Sequence, residues 1–346
     1  MFSATTPISI LRSHAATLVE ALPQLYDGDV DAVHDARVAS RRVREALPLS
    51  EPWHRPAVIE DLGTMFKEIG RSLGRVRDAD ARLAMLSSLE ARVPPAAPSL
   101  VVLRRRHDHL RQRLMRKLIK KFERLDIPTV VGDVAAGRTR ASRPWARVGG
   151  GWREQLRRTL KDRAQTMHES VQHTTGVYFP NRLHRTRISV KKCRYAVEIA
   201  DETGAGSDAD DILRYLRNTQ DVLGDLHDDQ ILVDELAAAD TSMPPEIDPE
   251  HIKLVIQIVE AECRELHQKY LKRRERLHEI ASRLESAYSS RAVSIAPIAA
   301  AVAASSAVYL WRRRAHRRET SAPSTPVSRR RELSVRIPIP DAAAIR

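Results

Sequence analysis

A stretch beginning at Val33, VHDARVASRRVREAL, recurs at Leu183 as LHRTRISVKKCRYAV, and Leu73-Gly-Arg-Val-Arg-Asp recurs at Leu223 as LGDLHD. Both pairs are 150 residues apart, so the chain is a duplication and its fold must accommodate two copies of one unit. In each copy a His, an Arg, an Arg or Lys, and an Arg stand at positions 0, +3, +7 and +10. A helical period puts those four side chains on one face. That face, present twice, is the candidate site.

Composition narrows the class. Aromatic residues make up only 4% of the 346, while Ala, Leu, Arg and Val dominate and long stretches lack Gly or Pro. Interdigitating helices account for this better than sheets, which favour β-branched and aromatic residues, so the expected class is all-α. With 42% apolar residues the chain can bury cores for two or three domains. Its net charge is +13, but residues 312–346 alone hold ten Arg against three acids, leaving +6 for residues 1–311. An anion site in the body must therefore come from local clustering rather than bulk charge. Cys193 and Cys263 show no CxxC spacing and no secretory signal opens the sequence, which together suggest a reduced, cytoplasmic setting.

Apolar periodicity and breakers give helices at about 7–23, from about 29–31 to 50, 56–92 and 99–126, ended by Pro52 and Pro94-Pro95. Residues 127–150, with Pro128, Pro144 and GRTRASRPWARVGGG, read as a connector. The pattern then repeats at about 151–172, 181–202, 208–239 and 250–289. The expected organisation is a four-helix bundle at 1–126, the connector at 127–150, a second four-helix bundle at 151–290, an apolar segment at 291–311 and a basic, disordered tail at 312–346. Residues 292–311 are uncharged and long enough to span a bilayer, with Tyr309 and Trp311 where interfacial aromatics belong. Eight of those twenty are Ala and Pro297 interrupts them, so a membrane contact and an Ala-rich helix packed on protein both remain open.

In the first copy His34, Arg37, Arg41 and Arg44 form one strip, widened by Arg42, and in the second His184, Arg187, Lys191 and Arg194, widened by Lys192. Each runs beside an apolar stripe that anchors the helix, and extends about 15 Å at 1.5 Å per residue. A solvated face is the ordinary explanation for a charge run, but such faces carry acids at i+4, and unrelieved like charges cost a few tenths of a kcal/mol per pair. A row of guanidiniums, ammonium and imidazole suits phosphate oxygens. Its length exceeds one phosphate and points to a polymer. The Leu-Gly segments read as turns in which Asp78, Asp80, Asp221, Asp225, Asp228 and Asp229 orient neighbouring cations, with direct anion contact expected of Arg75 and Arg77 only.

These residues resemble the CHAD family, the conserved histidine α-helical domain, in which a His-x-x-Arg-x-x-x-Arg/Lys-Arg/Lys-x-Arg helix occurs in each of two repeats. The similarity spans roughly residues 7–289. It implies two tandem antiparallel four-helix bundles related by a pseudo-twofold axis, with a basic groove or pore that binds inorganic polyphosphate through the residues just named. A granule-associated, non-enzymatic protein follows, with no cofactor, metal or catalytic residue expected. The sheet-borne ExExK motif to which some members are joined is absent. Nonspecific nucleic-acid binding through the same face is the main alternative. The pairs His34-Asp35, His107-Asp108 and His227-Asp228 raise a metal-dependent phosphohydrolase, but Arg185 stands where Asp35 would be matched, and cations oppose a divalent ion. A third alternative is a membrane-tethered scaffold whose cations pair with the other bundle.

Overall fold

The computed structural model describes residues 5–289 apart from 52–53, 55, 138–150, 175, 206–208 and 239–243. Among these residues the chain is helical, without strands. The helices are α1 (Pro7–Tyr26), α2 (Val30–Ala46), α3 (Pro56–Arg92), α4 (Ala97–Arg124), α5 (Ile127–Ala136), α6 (Gly151–Gln172), α7 (Pro180–Glu202), α8 (Ala209–Ala238), α9 (Pro249–Leu271) and α10 (Arg274–Ser289). No helix among the described residues is long and apolar enough to cross a membrane, and the apolar segment 292–311 lies outside them, as does the basic tail.

Local chemistry explains most boundaries. Thr6 caps α1 in a reciprocal box with Ser9. Gly28, at φ +84°, makes the left-handed turn between α1 and α2, and the Asp29 side chain then accepts from the Ala32 N–H at 2.7 Å. Pro180 suits the first turn of α7, where its missing N–H costs nothing.

The repeat holds five helices rather than the expected four. The segment taken as a connector begins with α5, started by a left-handed Asp126 (φ 47°) and Pro128, and stopped by Gly137 at φ 68°. Ile127, Val131 and Val134 bury one face of α5, which packs on α1, and Arg12 Nη2 donates to the Ala136 carbonyl at 2.9 Å. The expected single helix at 250–289 breaks after Leu271, and α10 packs on α6 as α5 packs on α1. The two short helices are 150 residues apart, Ile127 matching Leu277.

The apolar cores do not divide at the repeat boundary either. One joins α1, α2, α5, α6, α7 and α10 with the N-terminal parts of α3 and α8 and the C-terminal parts of α4 and α9. The other is built by both repeats together: Leu86, Leu89, Val93, Leu100 and Leu103 of the α3–α4 hairpin meet Leu232, Leu236, Ile252, Val255 and Val259 of the α8–α9 hairpin. Arg82 to Glu235 at 3.1 Å and His107 to Glu235 at 2.8 Å cross that junction. The Leu-Gly segments are consequently not turns. They lie mid-helix in α3 and α8, because both helices run unbroken from one core into the other.

Candidate functional site

Helix α2 buries Ala32, Val33, Ala36, Ala39, Ser40, Val43 and Ala46 against α1 and α3, which leaves the cationic strip at its edge. Helix α7 does the same with Leu183, Thr186, Val190 and Cys193, but from Cys193 to Ala200 it is buried on every side. That all-round burial marks α7 as central to the fold. The small residues on the buried side of α2 let it lie close, and α2 and α7 meet across the repeats.

The two strips converge at this meeting. The Arg41 guanidinium of α2 lies over the Tyr195 ring of α7, 4.5 Å from its centroid, and Arg194 stacks on the same ring at 4.6 Å. Lys191 sits amid Arg187 of its own helix and Arg41, Arg37 and Arg44 of the other, so that burial first, and these cations next, pull its ammonium down to about 8. Burial likewise pulls Arg41 down to about 10, with Arg37 and Arg194 adding to it against Tyr195 and Glu198. Arg41 Nε and Arg187 Nε are both enclosed without a hydrogen-bond acceptor. Enclosed donors are normally satisfied, and two in one cationic cluster point to an anion as the missing acceptor.

Arg37 and Arg44 lean instead on α3. A Cβ placed at Gly74 would come within 3.6 Å of Arg37 Nε, and one at Gly70 within 3.8 Å of Arg44 Nη1. These mid-helix glycines thus let two arginines come close to the α3 backbone. A methyl group fits at either position and a larger side chain displaces the arginine.

Histidines rim the cluster. His34 lies at the exposed edge of the cluster, where partial desolvation and, next, the Arg77 charge lower its pKa. His184 packs at a tilt against His227 of α8, with centroids 4.5 Å apart and ring planes at 44°. Burial, then Arg187 and Lys191, lowers His184; burial, then Arg187, His184 and Lys191, drops His227 to about 4. His227 matches Arg77 across the repeat, a correspondence visible in LGRVRD and LGDLHD, yet periodicity on α7 alone does not place it in the site. An acid is also present: Asp228 faces Arg187, although burial raises its pKa.

Two residues of the expected rows are engaged elsewhere. Arg42 pairs with Glu198 at 3.3 Å and Glu202 at 3.1 Å, both on α7. Arg194 is buried, bonded to Glu198 at 2.6 Å and to Gln220 at 3.0 Å. Glu198 accepts a third guanidinium from Arg217 at 3.3 Å. The matching positions in the first repeat are Pro48 and Pro52, so Arg44 and Lys192, the counterparts of Arg194 and Arg42, meet no such carboxylate. Both are half-buried. Arg75 turns away from the strips to line a groove between α3 and α4 with Arg71, Lys117 and Lys121, while Arg77 stays beside His34.

The His-Asp pairs do not assemble into one centre. His107 binds Glu235 and the Leu103 carbonyl, His227 faces His184, and among the described residues no three His, Cys, Asp or Glu gather to hold a metal. The meeting of α2 and α7 thus gathers cations from both repeats around Lys191: Arg37, Arg41, Arg44 and Arg187.

Compared with known families, the chain matches the CHAD domain model over residues 9–237. Among solved structures it is similar to PptA from Streptomyces chartreusis, with a TM-score of 0.61 and 16% identity over 77% of this chain and 97% of that one. It is also similar to the crystal structure of the CHAD domain from the plant Ricinus communis, with a TM-score of 0.54 and 19% identity over 80% and 93% of the two chains. At these identities the likeness is one of fold alone. No curated protein matches the chain.

Proposed function

The chain belongs to the CHAD domain family, and from that membership and the convergence of its two cationic strips we propose that it captures inorganic polyphosphate in the cleft between α2 and α7. The observation that carries this reading is Lys191 held among Arg37, Arg41, Arg44 and Arg187. A lysine pressed among four arginines is a cost in the empty protein, and a linear string of phosphates relieves it. Guanidiniums at Arg37, Arg41 and Arg187 supply paired donors, Lys191 a point charge, and the histidines further donors once protonated. We read the role as binding, because the cluster offers hydrogen-bond donors and fixed positive charge.

A titration with long-chain polyphosphate checks this. Counterion release at the five central contacts alone contributes a slope of about −3 to −4 to the fall of log affinity with log salt. Duplex DNA at equal phosphate concentration should displace little of the ligand, since the cleft is set for single file phosphates. Equal displacement by duplex DNA sinks the polyphosphate reading in favour of nucleic acid.

Acid should tighten the complex. In the free protein His34, His184 and His227 are held below the ordinary imidazole value, so they are neutral at pH 7, and a bound polyanion favours their charged forms. Protons are therefore taken up on binding, and affinity rises as pH falls from about 7.5 to 5.5. The free protein moves the opposite way. Below about 6.5 the unfolded chain binds protons that folded His227 and His14, both near 4, refuse, so their contribution to stability is lost as pH falls toward 4. Calorimetry in buffers of different ionisation enthalpy measures the uptake, and a binding heat independent of buffer contradicts it.

A further inference from the structure

Arg71 and Arg75 of α3 line a groove with Ser72, Leu114, Lys117, Leu118 and Lys121 of α3 and α4. The acid in its lining, Glu68, is taken by Lys121 at 3.1 Å. Arg71, Arg75 and Lys117 are exposed. Helix α4 adds to the field, holding ten Lys and Arg against two acids from Ala97 to Arg124. The groove also lies next to the cleft along one helix. Gly70 and Gly74, on which Arg44 and Arg37 rest, immediately precede Arg71 and Arg75, and Arg77 beside His34 follows half a turn on.

The second repeat reverses this charge. The positions matching Arg71 and Arg75 are Asp221 and Asp225, and those matching Lys117 and Lys121 are the buried His267 and the half-buried Leu271. Both aspartates are exposed. The flank beside the first strip is thus cationic, whereas its counterpart in the second repeat carries Asp221 and Asp225, the latter beside Lys269, although the strips themselves are nearly symmetric.

We propose that the α3–α4 groove is a second phosphate subsite, holding the units of a polyphosphate chain that extend beyond the central cleft, so that a long chain leaves the site over the first repeat and is turned away from the second. This rests on the polyphosphate reading of the cleft and adds a direction and a length dependence to it. Short chains occupy the cleft alone. Longer ones add contacts with Arg71, Arg75 and Lys117, and each contact deepens the salt dependence.

The test uses the full chain, with tripolyphosphate and long-chain polyphosphate as probes. Replacing Arg71, Arg75 and Lys117 together by Glu should weaken long-chain binding about tenfold at moderate salt and flatten its salt slope by about two. Tripolyphosphate binding should stay within about twofold, which also shows that the variant is folded. The reverse variant, Asp221→Arg with Asp225→Arg, should strengthen long-chain binding only. An unchanged long-chain affinity in the triple variant, or an equal loss for both probes, overturns the subsite. Failure of the wild-type chain to bind tripolyphosphate instead overturns the reading of the cleft.

Discussion

Alanine at Arg37, Arg41, Arg187 and Lys191 together should lower polyphosphate affinity by about a hundredfold or more at low salt, with helical content unchanged. Each side chain offers a charge-assisted contact of about 1.5–3 kcal/mol, and even with strong non-additivity four of them exceed the 2.7 kcal/mol that a hundredfold requires. The same change should raise the melting temperature. Lys191 is held near 8, and its unfolded counterpart takes up a proton more readily, so the lysine costs stability in full below about 8 and stops doing so as pH rises toward 10.5. Removing it and Arg41 should gain on the order of 1–2 kcal/mol at pH 7, after allowance for solvent screening. Calorimetry on the free variant and a titration on the same sample read both effects. Binding lost together with stability would mean that the cations hold the fold instead.

Glu198→Ala should be the most damaging single change among the charged residues near the cleft. Glu198 is 5% exposed and accepts from Arg42, Arg194 and Arg217, and Arg194 is itself 8% exposed. Its loss strands a buried guanidinium and unties α2 from α7. Breaking a buried pair by removing one partner costs about 3–5 kcal/mol, several degrees or more in melting temperature for a chain of this size. Glu198→Gln with Arg194→Met should recover much of it, because Met removes the stranded guanidinium and the Gln carbonyl keeps an acceptor for Arg42. If Glu198→Ala melts within a degree of the parent, Arg42 and Arg194 are not structural ties and return to the anion site.

The duplication, the all-helical class and the position of the cationic helices were all legible in the residues, because caps and periodicity are local. Helix α5 was not, since Asp126-Ile127-Pro128 reads equally as a linker until a left-handed Asp126 and a proline in the first turn are seen to start a helix. The break between α9 and α10 falls in Leu-Lys-Arg-Arg, with no Gly or Pro to announce it. The core shared by the two hairpins joins residues such as Leu86 and Leu232, and nothing in a helical period says which distant face meets which. The site was legible as a row but not in its membership. Spacing puts Arg42 and Arg194 with the other cations, and only the fold brings Glu198 and Glu202 onto them. The Leu73-Gly74 pair reads as a turn, while in α3 Gly74, with Gly70, makes room for two arginines.

The convergence of the two strips on one ligand is tested most directly by the stoichiometry of tripolyphosphate binding in the parent chain, in Arg37→Ala with Arg41→Ala, and in Arg187→Ala with Lys191→Ala. A shared cleft predicts one ligand per chain, and a weakening of that single site by either pair of changes. Two ligands per chain, with each variant keeping one at undiminished affinity, would show that the repeats bind separately and that the cleft is not one receptacle.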